Sequence, residues 1–349
     1  MESTPHDDLL LSEYLPRPQL VVKETWIEQP KFPVFDAHNH LGPTFGGHWS
    51  RRPVRELLDV LDASGVEAIV DLDGGWGEAL REHIERLQKP HPDRIFVFAQ
   101  LDWARWREDP AFPQWAAESL KESAAAGARG LKVWKDLGLR IRDHEGRLVP
   151  VDDERLAPIW ETAAELGLPV LIHVADPVAF FQPLDRYNER WEELRQHPDW
   201  HFYGPEYPPF DAIIEQFANV VRRHPRTTFI GAHVGCYAEN LGWVSALLEE
   251  CDNLYVDIAA RIAELGRQPY TARRFLIQHQ DRVLFGLDQA ASITAYRVYY
   301  RFLETDDEYF PYWTGPKPGQ GRWYIYGVHL PDDVLRKIYH ENARRLFGV

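Results

Sequence analysis

Five side chains whose types suit metal chemistry stand at the ends of short, β-rich apolar runs. The run VFDAHNHLG carries His38 and His40, two residues apart. Side chains alternate faces along a strand, so both imidazoles are expected to point into one space, which is a chelating arrangement. PVLIHVADP ends with His173, TTFIGAHVG with His233 and RVLFGLDQ with Asp288. A histidine or acid at the same level on four strands has reason to meet the others around one cation. Three imidazoles (His38, His40, His173) and the Asp288 carboxylate still leave room for a water, the open pattern of a catalytic zinc site. A water so bound has its pKa lowered from 15.7 to about 7, which makes hydroxide available at neutral pH.

Something must hold those strands side by side. Strand patterns fall at residues 34–38, 66–72, 95–101, 130–134, 169–174, 227–232, 254–258 and 283–287. Helical patterns alternate with them at 53–63, 77–88, 109–126, 153–166, 210–223, 238–250, 270–279 and 331–346, several of them closed by Gly65, Gly127 or Gly167. Strand–helix alternation implies a parallel sheet, and eight repeats point to a closed α/β barrel, the (β/α)8 TIM barrel, over an open doubly wound sheet. Residues 1–33, with Pro5, Pro16, Pro18, Pro30 and Pro33, read as an extended strap, and 34–349 as a single barrel domain. The connections 175–209 and 289–329 follow strands 5 and 8, so both are expected at the mouth, as walls or lids of a pocket.

Composition narrows the ligand. Acidic side chains outnumber basic ones by 54 to 39, giving a net charge of −15 over 349 residues. That balance argues against nucleic acid or an anionic membrane as partner. Cys236 and Cys251 are too few for a disulfide framework, and no stretch reaches the about 18 apolar residues of a membrane span. The expectation is a cytoplasmic protein with a small-molecule substrate, pairing into a homo-oligomer, most simply a dimer.

DAHNH, the strand-five and strand-six histidines and the terminal FGLD together resemble the amidohydrolase superfamily, in the amidohydrolase-related branch that includes aminocarboxymuconate-semialdehyde decarboxylase and pyrone-dicarboxylate lactonase. The similarity of motif order runs over about residues 34–349, including the ending LPDDVLRKIYHENARRLFG. The resemblance implies His38, His40, His173 and Asp288 as ligands of one divalent metal, Zn2+ with Mn2+ as the alternative, and His233 as a catalytic histidine beside it. Leu287 departs from the branch, which commonly has a small or hydroxyl residue before that aspartate. Lys132, on strand four, stands where binuclear relatives carry a carbamylated lysine bridging two metals; here it reads as an anchor for a substrate anion at a single-metal site.

These parts suit a hydrolase that cleaves an ester, lactone or amide of a small carbohydrate-derived or aromatic acid, with Asp288 accepting the water proton and His233 polarising the carbonyl. The same parts suit a non-oxidative decarboxylase, with His233 delivering a proton to carbon. A third reading is a non-catalytic binding barrel. Arg261, closing LYVDIAAR, suits a bidentate grip on a carboxylate, with a salt bridge to Asp257 or Glu264 as its ordinary alternative. Trp103 and Trp134, just beyond strands three and four, offer flat apolar faces for a ring, as do Trp76, Trp106, Phe180 and Phe181.

Overall fold

The computed structural model describes residues 9–10, 13–42, 49–315 and 318–349. Eight parallel strands follow one another: β1 (Val34–Asn39), β2 (Val66–Asp71), β3 (Ile95–Val97), β4 (Leu131–Val133), β5 (Val170–Ile172), β6 (Phe229–Gly231), β7 (Leu254–Asp257) and β8 (Val283–Leu284). Regular pairing runs β1-β2-β3 and β4-β5-β6-β7-β8. Backbone bonds join the two sheets on both sides. Lys132 N–H donates to Ala99 O (2.8 Å) between β3 and β4, while Ala37 N–H donates to Phe285 O (2.9 Å) and Asp288 N–H to His38 O (2.8 Å) between β1 and β8. The sheet thereby closes on itself as a (β/α)8 barrel, which removes its edges.

Two apolar layers follow from strand alternation. Val34, Leu131, Val170 and Ile172 face the helices, whereas Phe35, Ala37, Leu171 and Ile230 fill the barrel interior. Ala343 and Phe347, from the last helix, join that interior cluster, and Phe347 stacks on Phe35 (ring centroids 5.3 Å apart). One end of the cylinder is thus packed shut, leaving the C-terminal strand ends as the open one.

Residues 13–33 run without regular secondary structure along the surface. Thr25 anchors them by donating both its N–H and its hydroxyl to Asp307 (2.6 Å each). The rest of the expected strap, 1–8 and 11–12, lies outside the described residues. The connection 289–329 is more ordered than a loop reading expects: Ser292 caps a helix, Ile293–Glu304, by accepting from Ala295 N–H. Tyr296, Tyr299, Tyr300 and Leu303 give that helix a buried stripe at helical spacing. Pro316 and Lys317 in the same connection lie outside the described residues. Among the described residues no helix is long and apolar enough to cross a membrane.

Candidate metal centre

His38 and His40 reach the open end through an irregularity. Phe35 and Ala37 point into the barrel, so strict alternation would send His38 outward among the helices. The β1–β2 register shifts between Asp36 and Asn39, and this local extra residue changes the phase. Asp36 secures the shifted segment. Its carboxylate accepts from the N–H groups of His38 and Leu287 (3.2 and 3.0 Å), the Asn39 amide and the Tyr296 hydroxyl (2.7 Å each). Gly286 makes room: a Cβ there would lie 2.8 Å from that of His38.

Both imidazoles are oriented from behind. His38 donates from Nδ1 to Asp257 Oδ2 at 2.8 Å, and His40 from Nδ1 to Asp73 Oδ1 at 2.7 Å. A hydrogen on Nδ1 leaves the Nε2 lone pair for a cation, the usual carboxylate–histidine–metal arrangement. Those Nε2 atoms lie 3.7 and 3.3 Å from Asp288 Oδ1, and His233 Nε2 lies 3.7 Å from Asp288 Oδ2. His233 donates from Nδ1 to Ala259 O (2.8 Å), so its Nε2 is also bare. His173 borders the same cavity, its ring edge-on to His233 with centroids 4.4 Å apart.

The electrostatics keep three of the cluster's four imidazoles free to ligate. Burial lowers the pKa of His38 and His233 well below 6.5 and that of His173 to about 4, so all three are neutral imidazoles. Burial would also lower His40, but Asp288 and Asp73 on either side hold it above 6.5. Asp288 is buried too, which alone would raise it; His38, His40 and Lys132 instead hold it below the ordinary carboxylate range. Burial lifts Asp257 to about 7, against the pull of two backbone donors, His233 N–H (2.9 Å) and Ala259 N–H (3.0 Å). With those two on Oδ1 and His38 on Oδ2, Asp257 is engaged at both oxygens and serves behind the site rather than in it.

This donor set fits a divalent cation. His38, His40 and Asp288 bring ligand atoms within 4.8 Å of one another, and buried Asp288 Oδ1 and His173 Nε2 make no well-aligned hydrogen bond, their nearest partners being His40 Nε2 at 3.3 Å and Asp176 Oδ1 at 3.4 Å. Buried polar atoms left so are costly without a partner. The backbone is strained where the set converges. His233 (φ 59°), Val234 (φ 59°), Ala260 (φ 51°) and Asp288 (φ 51°) are left-handed without being glycine. Each such residue costs on the order of 1–3 kcal/mol, and such strain concentrates at functional sites.

The other anticipated residues divide. Lys132, Trp134 and Arg261 border the cavity, which has a volume of about 830 Å³. Lys132 is 0% exposed and its Nζ has no hydrogen bond; burial lowers its pKa to about 8. Trp134 stacks on His40 (5.0 Å) and lies 4.8 Å from the Lys132 ammonium. The expected alternative partners of Arg261 are taken: Asp257 holds His38, and Glu264 pairs with Arg190. Among the described residues Arg261 has no ion pair, only a bond from Nη1 to Ala260 O (2.9 Å). Trp103 does not reach the cavity. It lies in a short 3-10 turn, Trp103–Arg107, that turns its ring onto Phe112 (5.3 Å) within the core. Trp106 and Phe181 are likewise core, and Trp76 is exposed. Of the anticipated aromatics Trp134 and Phe180 do line the cavity, and Trp200 from 175–209 with Tyr312 and Trp313 from 289–329 complete the flat apolar wall. Cys236 is a buried thiol pushed up to about 11 by burial.

A family model, Amidohydro_2, described as amidohydrolase, matches residues 35–349. No curated protein matches the chain. Solved structures similar in fold include 2,6-dihydroxybenzoate decarboxylase from Rhizobium, with 17% identity and a TM-score of 0.57 over 91% of this chain and 99% of that one. A dihydroxybenzoic acid decarboxylase from Polaromonas sp. JS666, with bound manganese and the inhibitor 2-nitroresorcinol, gives 14%, 0.56, 91% and 97%. The manganese-containing 5-carboxyvanillate decarboxylase from Novosphingobium aromaticivorans gives 12%, 0.52, 91% and 97%. At these identities the likeness is one of fold.

Proposed function

Because this chain belongs to the amidohydrolase family, we propose that it is a metal-dependent, non-oxidative decarboxylase of a small aromatic acid. The observation that carries this reading is a pair of buried cations, Lys132 and Arg261, with no carboxylate bonded to either, in an aromatic-walled cavity that also holds the His–Asp cluster. Such a cavity suits a planar ring bearing oxygen anions. The manganese-bound decarboxylases of hydroxylated benzoic acids among the solved relatives support the choice of chemistry.

His38, His40, His173 and Asp288 would hold one divalent ion, zinc or manganese. When bound, it supplies a Lewis acid for the substrate's carboxylate and adjoining oxygen. Arg261 and Lys132 bind the oxygen anions, and Trp134, Trp200 and Trp313 enclose the ring and exclude water. The bond between the ring carbon and the carboxylate breaks with its electron pair remaining on the ring. His233 Nε2, bare in the resting site, takes a proton from water of the medium and, with Asp288 Oδ2 3.7 Å away, passes it to that carbon, and carbon dioxide leaves.

Hydrolysis of an ester or lactone is the second reading, favoured by one observation: the Asp288 carboxylate borders the cavity beside His38, His40 and His233, where it would accept a water proton. Isotopes separate the two. Turnover of hydroxybenzoic acids by the metal-loaded protein in deuterium oxide is expected to place one deuterium on the ring carbon and to release carbon dioxide. Incorporation of labelled water oxygen into an acid product, with no carbon dioxide, would establish hydrolysis instead.

A further inference from the structure

The two strained turns that carry Arg261 and Asp288 come from different strands, yet one hydroxyl joins them. Tyr299, in the helix Ile293–Glu304, is 1% exposed and borders the cavity. Its oxygen accepts from the N–H of Ala260 at 2.8 Å and donates to the carbonyl of Leu287 at 3.2 Å. A phenol has one donor and two acceptor positions, so it can serve both turns at once. Each bond falls on the residue next to a functional one. Ala260, itself left-handed, precedes Arg261, and Leu287 precedes left-handed Asp288. On the far side, Asp288 N–H is bonded to His38 O and Leu287 N–H to Asp36 Oδ1. The carbonyl of Leu287 is the side of that peptide that Tyr299 secures.

We infer that the Tyr299 hydroxyl is a positioning group that fixes Asp288 as a metal ligand and Arg261 as the anion grip relative to one another. This rests on the reading of the cavity as a metal site. A helix of the second long connection is thereby part of the site's construction, not merely its wall. Without the hydroxyl, the Ala260 N–H loses its acceptor in a buried place, and both left-handed turns are free to relax toward commoner conformations.

Tyr299→Phe keeps the ring and removes both bonds. Tyr300→Phe is the control: its hydroxyl, one position along the same helix, donates to Ser64 O (2.8 Å) away from the cavity. Both variants lose buried hydrogen bonding and some thermal stability, so stability alone distinguishes nothing. Affinity for zinc and for manganese, measured by competition with a chromophoric chelator below every midpoint, does. Tyr299→Phe is expected to bind at least about tenfold more weakly than wild type, and to lose amide hydrogen-exchange protection at residues 258–261 and 286–288. Tyr300→Phe is expected to keep the wild-type affinity. Equal affinity in wild type and Tyr299→Phe, or an equal loss in both variants, would overturn the inference while leaving the metal reading intact. A wild-type protein that takes up neither metal would overturn the metal reading and the inference with it.

Discussion

Asp257→Asn tests whether the carboxylates behind the histidines tune the site or merely fill space. The substitution preserves volume and leaves an amide oxygen to accept from His233 N–H and Ala259 N–H, now at 2.9 and 3.0 Å. It changes only the group 2.8 Å from His38 Nδ1, from an acceptor to an N–H donor. His38 must then accept at Nδ1 and carry its proton on Nε2, the atom that faces Asp288 and the cation. Losing such a supporting partner costs about 10- to 100-fold in metal affinity, which is about 1.4–2.8 kcal/mol. Because metal stabilises the fold by RT ln(1 + [metal]/Kd), the variant forfeits that same 1.4–2.8 kcal/mol at any fixed saturating metal concentration. The metal-free fold should be no weaker, since a buried carboxyl already raised to about 7 is replaced by a neutral amide. Chelator competition gives the affinity, and urea unfolding with and without metal gives the two stabilities. A variant destabilised without metal but binding it as tightly as wild type would refute the orientation argument.

Other outcomes follow from the same geometry. His233→Asn is expected to retain bound metal, since His38, His40 and Asp288 remain, while kcat falls by about 100-fold or more; metal loss equal to that of His38→Ala would make His233 a ligand instead. Lys132→Met removes a buried ammonium and should lower kcat/KM for anionic substrates by about tenfold or more, measured by steady-state kinetics. Its effect on stability depends on pH. The folded value, about 8, lies below the ordinary 10.5, so between these the unfolded chain binds the extra proton and stability rises with pH. Metal-free wild type should therefore gain on Lys132→Met between pH 8 and 10 in urea unfolding, and parallel curves would contradict this. Gly286→Ala sets a Cβ 2.8 Å from that of His38 and 3.0 Å from that of Ala259; a loss of about 1–3 kcal/mol together with weaker metal binding is expected, and a change in neither would show that the barrel mouth yields freely.

Much of this architecture was legible because period-two and period-3.6 patterns are strong where strands and helices are long. All eight strands lie where the apolar runs predict them; His173 follows β5 directly, and His233 and Asp288 come shortly after the ends of β6 and β8. His38 and His40 share a face as their spacing implies, but the register shift that turns this face inward has no sequence mark. Asp73 and Asp257 escaped notice as orienting groups because a carboxylate behind an imidazole comes from another strand and obeys no spacing rule. From sequence alone, Asp257 reads only as a partner for Arg261. Trp103 failed for the converse reason: proximity to a strand end does not fix a direction when a 3-10 turn intervenes. The helix Ile293–Glu304 did carry a signal, in Ser292 and the tyrosines at helical spacing, but its β-branched and aromatic content blurs the period. Trp200 and Trp313 reach the cavity across long connections, where sequence distance says little about space.

The central claim is that His38, His40 and Asp288 surround one cation at the open end of the barrel. Anomalous diffraction from crystals of the protein loaded with manganese or zinc, recorded above and below the metal edge, tests it directly. The account predicts one strong peak per chain, within coordination distance of both Nε2 atoms and an Asp288 oxygen, with His173 alongside. A map with no peak there, or with the metal only at surface carboxylates, would contradict it.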